Sequence, residues 1–203
     1  MANAEHPRAW RVVDAAFALS AFGWAVRDVL RVLGGASIYV HGLLAALNVV
    51  IGVLFLLRRP PVRIGKWGDT AWALVSVISS GTLMAVARDH LAPIQEWLFA
   101  GFGVVALISL SNLGGAFSIL PADRGVVRRG PYRLVRHPAY AAELAMVFVL
   151  AARAPVLQAA PLALLACVSS WLRILGEEKL LLRHADYREY MMKVRYRLIP
   201  GLL

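Results

Sequence analysis

The chain has 203 residues, of which 60% are hydrophobic and 17% charged, and its mean hydropathy is +0.64. A soluble domain of this length would alternate apolar and polar faces, whereas here whole runs of about 20 residues lack a strong charge, enough to cross a bilayer. The basic residues behind the net charge of +10 lie between those runs rather than on one soluble face, which points to lipid headgroups and away from nucleic acid.

The single cysteine, Cys167, falls inside an apolar run. Disulfides and cysteine-based metal sites within one chain are thereby excluded, and the residue reads as a small buried apolar one. The first residues are short and polar, and the first apolar run carries Asp14, Arg27 and Asp28. That is a poor signal peptide, so no cleavage is expected.

Apolar runs fall at residues 12–32, 37–57, 67–87, 94–113, 139–152 and 156–175. They predict an all-α, polytopic membrane protein with six crossings. The last two, joined by Arg153-Ala154-Pro155, form a C-terminal helical hairpin whose second arm overruns the membrane on its inner side. With the N-terminus placed inside, 18 of the 22 Lys and Arg residues gather on the inner face, and only Arg27, Arg31, Arg88 and Arg153 face out. Both termini and the segment after the fourth run are therefore expected to be cytoplasmic.

Residues 1–112 read as a four-helix transmembrane scaffold, with Gly23, Gly42, Gly52, Gly81, Gly101 and Gly103 permitting close helix approach. Those small residues suit a dimer as well as a monomer. Asp14, three residues after Arg11, predicts an interfacial ion pair, and Asn48 is the other polar exception. His41 and His90 lie near membrane ends without a partner at metal-ligand spacing and read as interfacial. No metal site is expected.

Residues 113–203 read as a second unit. Residues 116–138 form a long loop with five arginines and enough apolar side chains, Phe117, Ile119, Val126, Tyr132 and Val135 among them, to fold as a lid against the tail. In the tail, Tyr187, Tyr190, Met191, Val194 and Leu198 recur at helical spacing, predicting an amphipathic cytoplasmic helix that stops at Ile199-Pro200-Gly201. Two polar clusters converge on this face. His137, Tyr140 and Glu143 follow Pro138 at three-residue spacing on the start of one helix. Arg173 and Glu177 are four apart on another, with Glu178 adjacent. An ordinary ion pair at a helix end explains Arg173 and Glu177, but Glu143 is a carboxylate inside an apolar segment, and such charges are costly and usually functional.

Gly130-Pro131-Tyr132, Arg136-His137-Pro138-Ala139-Tyr140-Ala141-Ala142-Glu143, Arg173-x-x-x-Glu177-Glu178, Tyr187-x-x-Tyr190 and Ile199-Pro200-Gly201 occur in that order. This series resembles the isoprenylcysteine carboxyl methyltransferase family, whose relatives include the phospholipid N-methyltransferases. The resemblance covers residues 112–203. It implies a membrane methyltransferase core over residues 113–203 that binds S-adenosyl-L-methionine from the cytoplasmic side and methylates a lipophilic or lipid-anchored acceptor arriving from the bilayer. By matching positions it implies cofactor contacts from Tyr132, Arg136, His137, Pro138, Tyr140, Glu143 and Glu178. Arg173 and Glu177 correspond to the pair beside the acceptor that activity requires.

The chain departs from that pattern at Ala142, where Gly is common, at Gly115, where Arg is common, and at Arg183-His184-Ala185-Asp186, which replaces Phe-Gly. Two other readings compete. The membrane sterol reductases, which use NADPH, look similar over the C-terminal part, but their His-Pro is followed by Asn-Tyr and they have more helices. A non-enzymatic membrane scaffold accounts for the arginines as lipid anchors, yet leaves Glu143, Glu177 and Glu178 without a task.

Overall fold

The computed structural model describes residues 6–65, 67–87, 91–120 and 122–202, so Lys66, Arg88 and His90 lie outside the described residues. Its architecture is all-helical: α1 (His6–Leu33), a π turn (Ile38–Gly42), α2 (Leu43–Leu57), α3 (Trp67–Val86), α4 (Pro93–Leu113), α5 (Pro138–Ala151), α6 (Val156–Leu181) and α7 (Ala185–Lys193). The exception is one two-residue antiparallel pairing of β1 (Arg63–Ile64) with β2 (Ala122–Asp123). Each apolar run of the sequence is helical. Among the described residues, Ile38–Leu57, Pro93–Ala116 and Val156–Leu181 are long and apolar enough to cross a membrane, whereas Thr70–Met84 and Pro138–Ala151 are apolar but shorter.

The helices pack in the order α1, α2, α4, α5, α6, α3. The third helix thus lies beside α6 rather than beside its chain neighbours α2 and α4. Small residues make this possible: Ala73 and Ser76 on α3 and Ala166, Ser169 and Ser170 on α6 are fully buried, and Ser76 Oγ lies 3.1 Å from Ser170 Oγ. The main core is built from Leu47, Phe99, Ala142, Met146, Val147 and Ala163 with their neighbours, so the methyl of Ala142 is packed against other helices.

One end of the bundle gathers the end of α2, the start of α5, residues 114–137 and the tail. Arg59 N–H donates to Gly115 carbonyl at 2.9 Å, and Val62 N–H to Asp123 carbonyl at 2.9 Å. We call this the loop end. Gly130 there has φ +59, and a side chain at that position would begin 2.7 Å from Asn112 Oδ1, so the turn into Pro131 tolerates only glycine.

Three sequence expectations need correction. Asp14 pairs with Arg58 at the end of α2, not with Arg11, because the antiparallel packing of α1 on α2 buries the two together. α6 continues to Leu181, so the amphipathic tail helix is confined to Ala185–Lys193. That helix also ends before Ile199-Pro200-Gly201, since residues 194–197 run extended: Tyr196 and Arg197 carbonyls accept the backbone N–H groups of Arg136 (2.9 Å) and His137 (2.8 Å). Leu198 is therefore outside the helix, while Tyr187, Tyr190 and Val194 do bury together, with Val126 of the loop against them. The loop folds against the tail.

Candidate functional site

Pro138 opens α5, where a missing N–H costs nothing, and His137 precedes it as the capping residue, with φ −129 and ψ 60. This start places His137, Tyr140 and Glu143 down the face of α5 that meets α6 and α3. From α6 come Arg173, Glu177 and Glu178. Tyr140 hydroxyl donates to Glu177 Oε1. Arg173 guanidinium lies 4.8 Å over the Tyr140 ring, a cation–π contact that holds both in place. Arg173 also donates from Nη2 to Ile119 carbonyl at 3.1 Å, pinning the loop to α6.

α3 supplies groups that the sequence reading did not include. Ser76 hydroxyl lies 3.1 Å from Arg173 Nη1, which donates to it, and Ser76 and Ser80 each donate to Glu143 Oε1 at 3.4 Å. The four-residue spacing of Ser76 and Ser80 in an apolar run was the available signal. What the sequence does not reveal is that α3 packs on α6.

Glu178 does something different. Its Oε1 accepts from Arg136 Nε at 2.8 Å and lies 3.3 Å from His137 Nε2, while its Oε2 accepts from Arg197 Nε and Nη2 at 3.0 and 2.8 Å. Arg136 Nη1 in turn donates to the carbonyls of Val194 and Arg195. One buried carboxylate thus clamps the segment before α5 to the extended tail through charge-assisted bonds. Glu178 and Pro138 do not line the adjoining cavity, whereas Tyr132, Arg136, His137, Tyr140, Glu143, Arg173 and Glu177 do.

That cavity measures about 1080 Å³ and is lined mainly by apolar side chains. It lies between α3 on one side and the packed pair α1 and α2 on the other, and α3 makes no appreciable contact with either of them. Trp24, Val77 and Ile78 line it and are themselves exposed, so it has an open side. At the loop end, Arg173 and Tyr187 line this cavity, and Arg173 Nε and Tyr187 Oη are buried without a hydrogen-bond partner. Tyr132 and Tyr190 close the floor, with Tyr190 hydroxyl donating to Tyr132 carbonyl at 2.6 Å. Burial raises both hydroxyls above their ordinary range, Tyr190 to about 12.

The floor is braced from outside by His184 Nε2, 2.6 Å from the buried Asp123 Oδ2, and by Arg128, which reaches Glu189 and the Asp186 carbonyl. His184 and Asp186 thus fasten the lid to α7. At Gly115, the Arg59 side chain crosses within 3.0 Å of where a Cβ would stand.

No protein-family model matches this chain, and no curated protein matches it.

Proposed function

We propose that this chain is an integral membrane methyltransferase that uses S-adenosyl-L-methionine and modifies a lipophilic acceptor. The observation that carries the reading is the meeting of Tyr140, Arg173 and Glu177 at one end of an apolar cavity with an open side. Size supports it as well: about 1080 Å³ is at or above the usual range of about 300–1,000 Å³ for one small ligand, room for a donor and an acceptor together.

The residues present fit such a cofactor. Glu143 and Glu177 offer negative charge to a sulfonium and an ammonium, and the cavity-lining side chains of Arg136, Arg173 and Tyr187 are donors for a carboxylate or hydroxyls. When bound, S-adenosyl-L-methionine would supply an electrophilic methyl group. The chain's task is then to hold the acceptor in line and exclude water. Glu177, oriented by Tyr140, positions the acceptor and takes its proton where it is an amine or hydroxyl; Arg173 positions it where it is a carboxylate. Arg136, His137 and Glu178 keep the floor closed, and Ser76 and Ser80 fix Arg173 and Glu143.

The same reading sets six membrane crossings with both termini cytoplasmic. It is supported by the distribution of Lys and Arg and by helix faces that expose large apolar side chains, such as Leu157 (88%), Leu164 (66%) and Ile78 (64%), which lipid would cover.

The test is thermal unfolding of the purified protein with S-adenosylhomocysteine and, separately, with NADPH. Stabilisation by the first of about 2.7 kcal/mol at a hundredfold excess over Kd is expected, with none from NADPH. Incubation in native lipid extract with labelled cofactor should then label a lipid, and Glu177→Gln should lower that labelling at least tenfold while keeping the fold. Stabilisation by NADPH alone, label confined to water-soluble product, or full activity of Glu177→Gln would each overturn the assignment.

A further inference from the structure

The cavity has a second polar end. α1 runs from Asp14, paired with Arg58 at the loop end, to Asp28, fourteen residues on and therefore about 20 Å farther along the axis. α2 runs the other way, so His41 in the turn that begins it lies opposite the loop end. There Asp28 Oδ1 meets His41 Nδ1 at 3.0 Å and Asp28 Oδ2 accepts from Asn48 Nδ2 at 3.5 Å. Asp28 and His41 are buried, 4% and 6% exposed, yet all three residues line the cavity.

With Nδ1–H given to Asp28, His41 Nε2 and the weakly engaged Asp28 Oδ2 remain as acceptors for a ligand hydroxyl, beside the second N–H of Asn48 and the Arg27 and Arg31 side chains that line the same end. Between this cluster and the Tyr140–Glu177 end, the lining is apolar: Leu44, Leu47, Met84, Phe99, Val147 and Leu150. Along α4 the lining runs from Phe99 to Leu113, about 20 Å at 1.5 Å per helical residue, or about two-thirds of a bilayer's hydrocarbon thickness. A carboxylate buried in such a place is expensive unless something uses it.

We infer that the far end of the cavity is a recognition site for a hydrogen-bond donor, a hydroxyl or ammonium, at the distal end of an elongated apolar ligand whose other end reaches Tyr140, Arg173 and Glu177. Asp28 and His41 accept from that group and Asn48 holds Asp28 in place. The preferred ligand is then a long chain with a polar group at each end, rather than a single-headed lipid. The inference rests on the proposed function only for which end reacts; the binding preference follows from the cavity alone.

The test is competition against a fluorescent long-chain alcohol for the full chain in nanodiscs, comparing an n-alkanol with the α,ω-diol of the same length at matched bilayer fractions. The wild-type protein should bind the diol about tenfold more tightly, the effect of one hydrogen bond to a charged group. In Asp28→Asn and in His41→Gln the diol-to-alkanol ratio should fall to within about twofold of one. Equal affinities in the wild-type protein, which needs no variant to fold, would overturn the inference, as would a preference that survives both substitutions. Failure of S-adenosylhomocysteine to stabilise the protein would remove the methyltransferase reading and leave this ratio to be decided by itself.

Discussion

Tyr132, Tyr187 and Tyr190 are buried where the loop meets the tail, and their hydroxyls share one physical cause. Desolvation raises all three above the ordinary 10.0, Tyr190 to about 12, with nearby glutamates adding to the effect and Arg136 opposing it at Tyr187 and Tyr190. Each is neutral in folded and unfolded chains alike below pH 10. Above it, the unfolded chain releases its protons first, so the stability these groups contribute is fully present below about 10 and falls as pH rises through about 12. Melting temperature should therefore be flat through neutral pH and drop across that alkaline window, with tyrosinate absorbance for the buried three appearing only as the protein unfolds. A drop that begins below pH 9 would show that these hydroxyls are not protected.

At the scale of elements, Glu178 ties the start of α5 and the end of α6 to the tail through Arg136, His137 and Arg197. Replacing Glu178 with Gln leaves Arg136 and His137 buried and Arg197 half-buried beside a neutral group, and breaking a buried ion pair from one side typically costs 3–5 kcal/mol, roughly. The expected result is a lower melting temperature and faster proteolysis between residues 194 and 202, both absent in Arg195→Ala, whose side chain is exposed. This joint was legible in the sequence as a set of residues but not as a set of roles. Spacing placed His137, Tyr140, Arg173 and Glu177 on facing helix stripes, yet nothing in the spacing separates Glu177, which meets Tyr140, from Glu178, which faces the tail: adjacent helical positions differ by about 100°. The extended stretch after Lys193 was hidden because its hydrogen bonds go to a loop about sixty residues away. The position of α3 was hidden for the same reason, since its serines matter only through a long-range packing choice. His41 was legible only as a lone ring near a helix end, because its partner Asp28 is on another helix.

At the scale of the molecule, the packing order puts α3 last in the row and leaves a gap between it and α1 and α2 along which the cavity runs. An acceptor dissolved in lipid would pass through that gap, whereas a water-soluble cofactor would enter at the loop end, past the lid and tail. Gly81 lies on this side of α3, lines the cavity, and a side chain there would begin in open space, with nothing within 4 Å. Gly81→Trp should therefore fold, occupy the gap and obstruct the acceptor without reaching the groups around Tyr140 and Glu177. The expected result is an acceptor KM raised about tenfold or more, with stabilisation by S-adenosylhomocysteine unchanged, because the two ligands would approach from different sides. Equal loss of both would mean that they share one route, and unaltered methylation would mean that the acceptor does not pass between α3 and α1–α2.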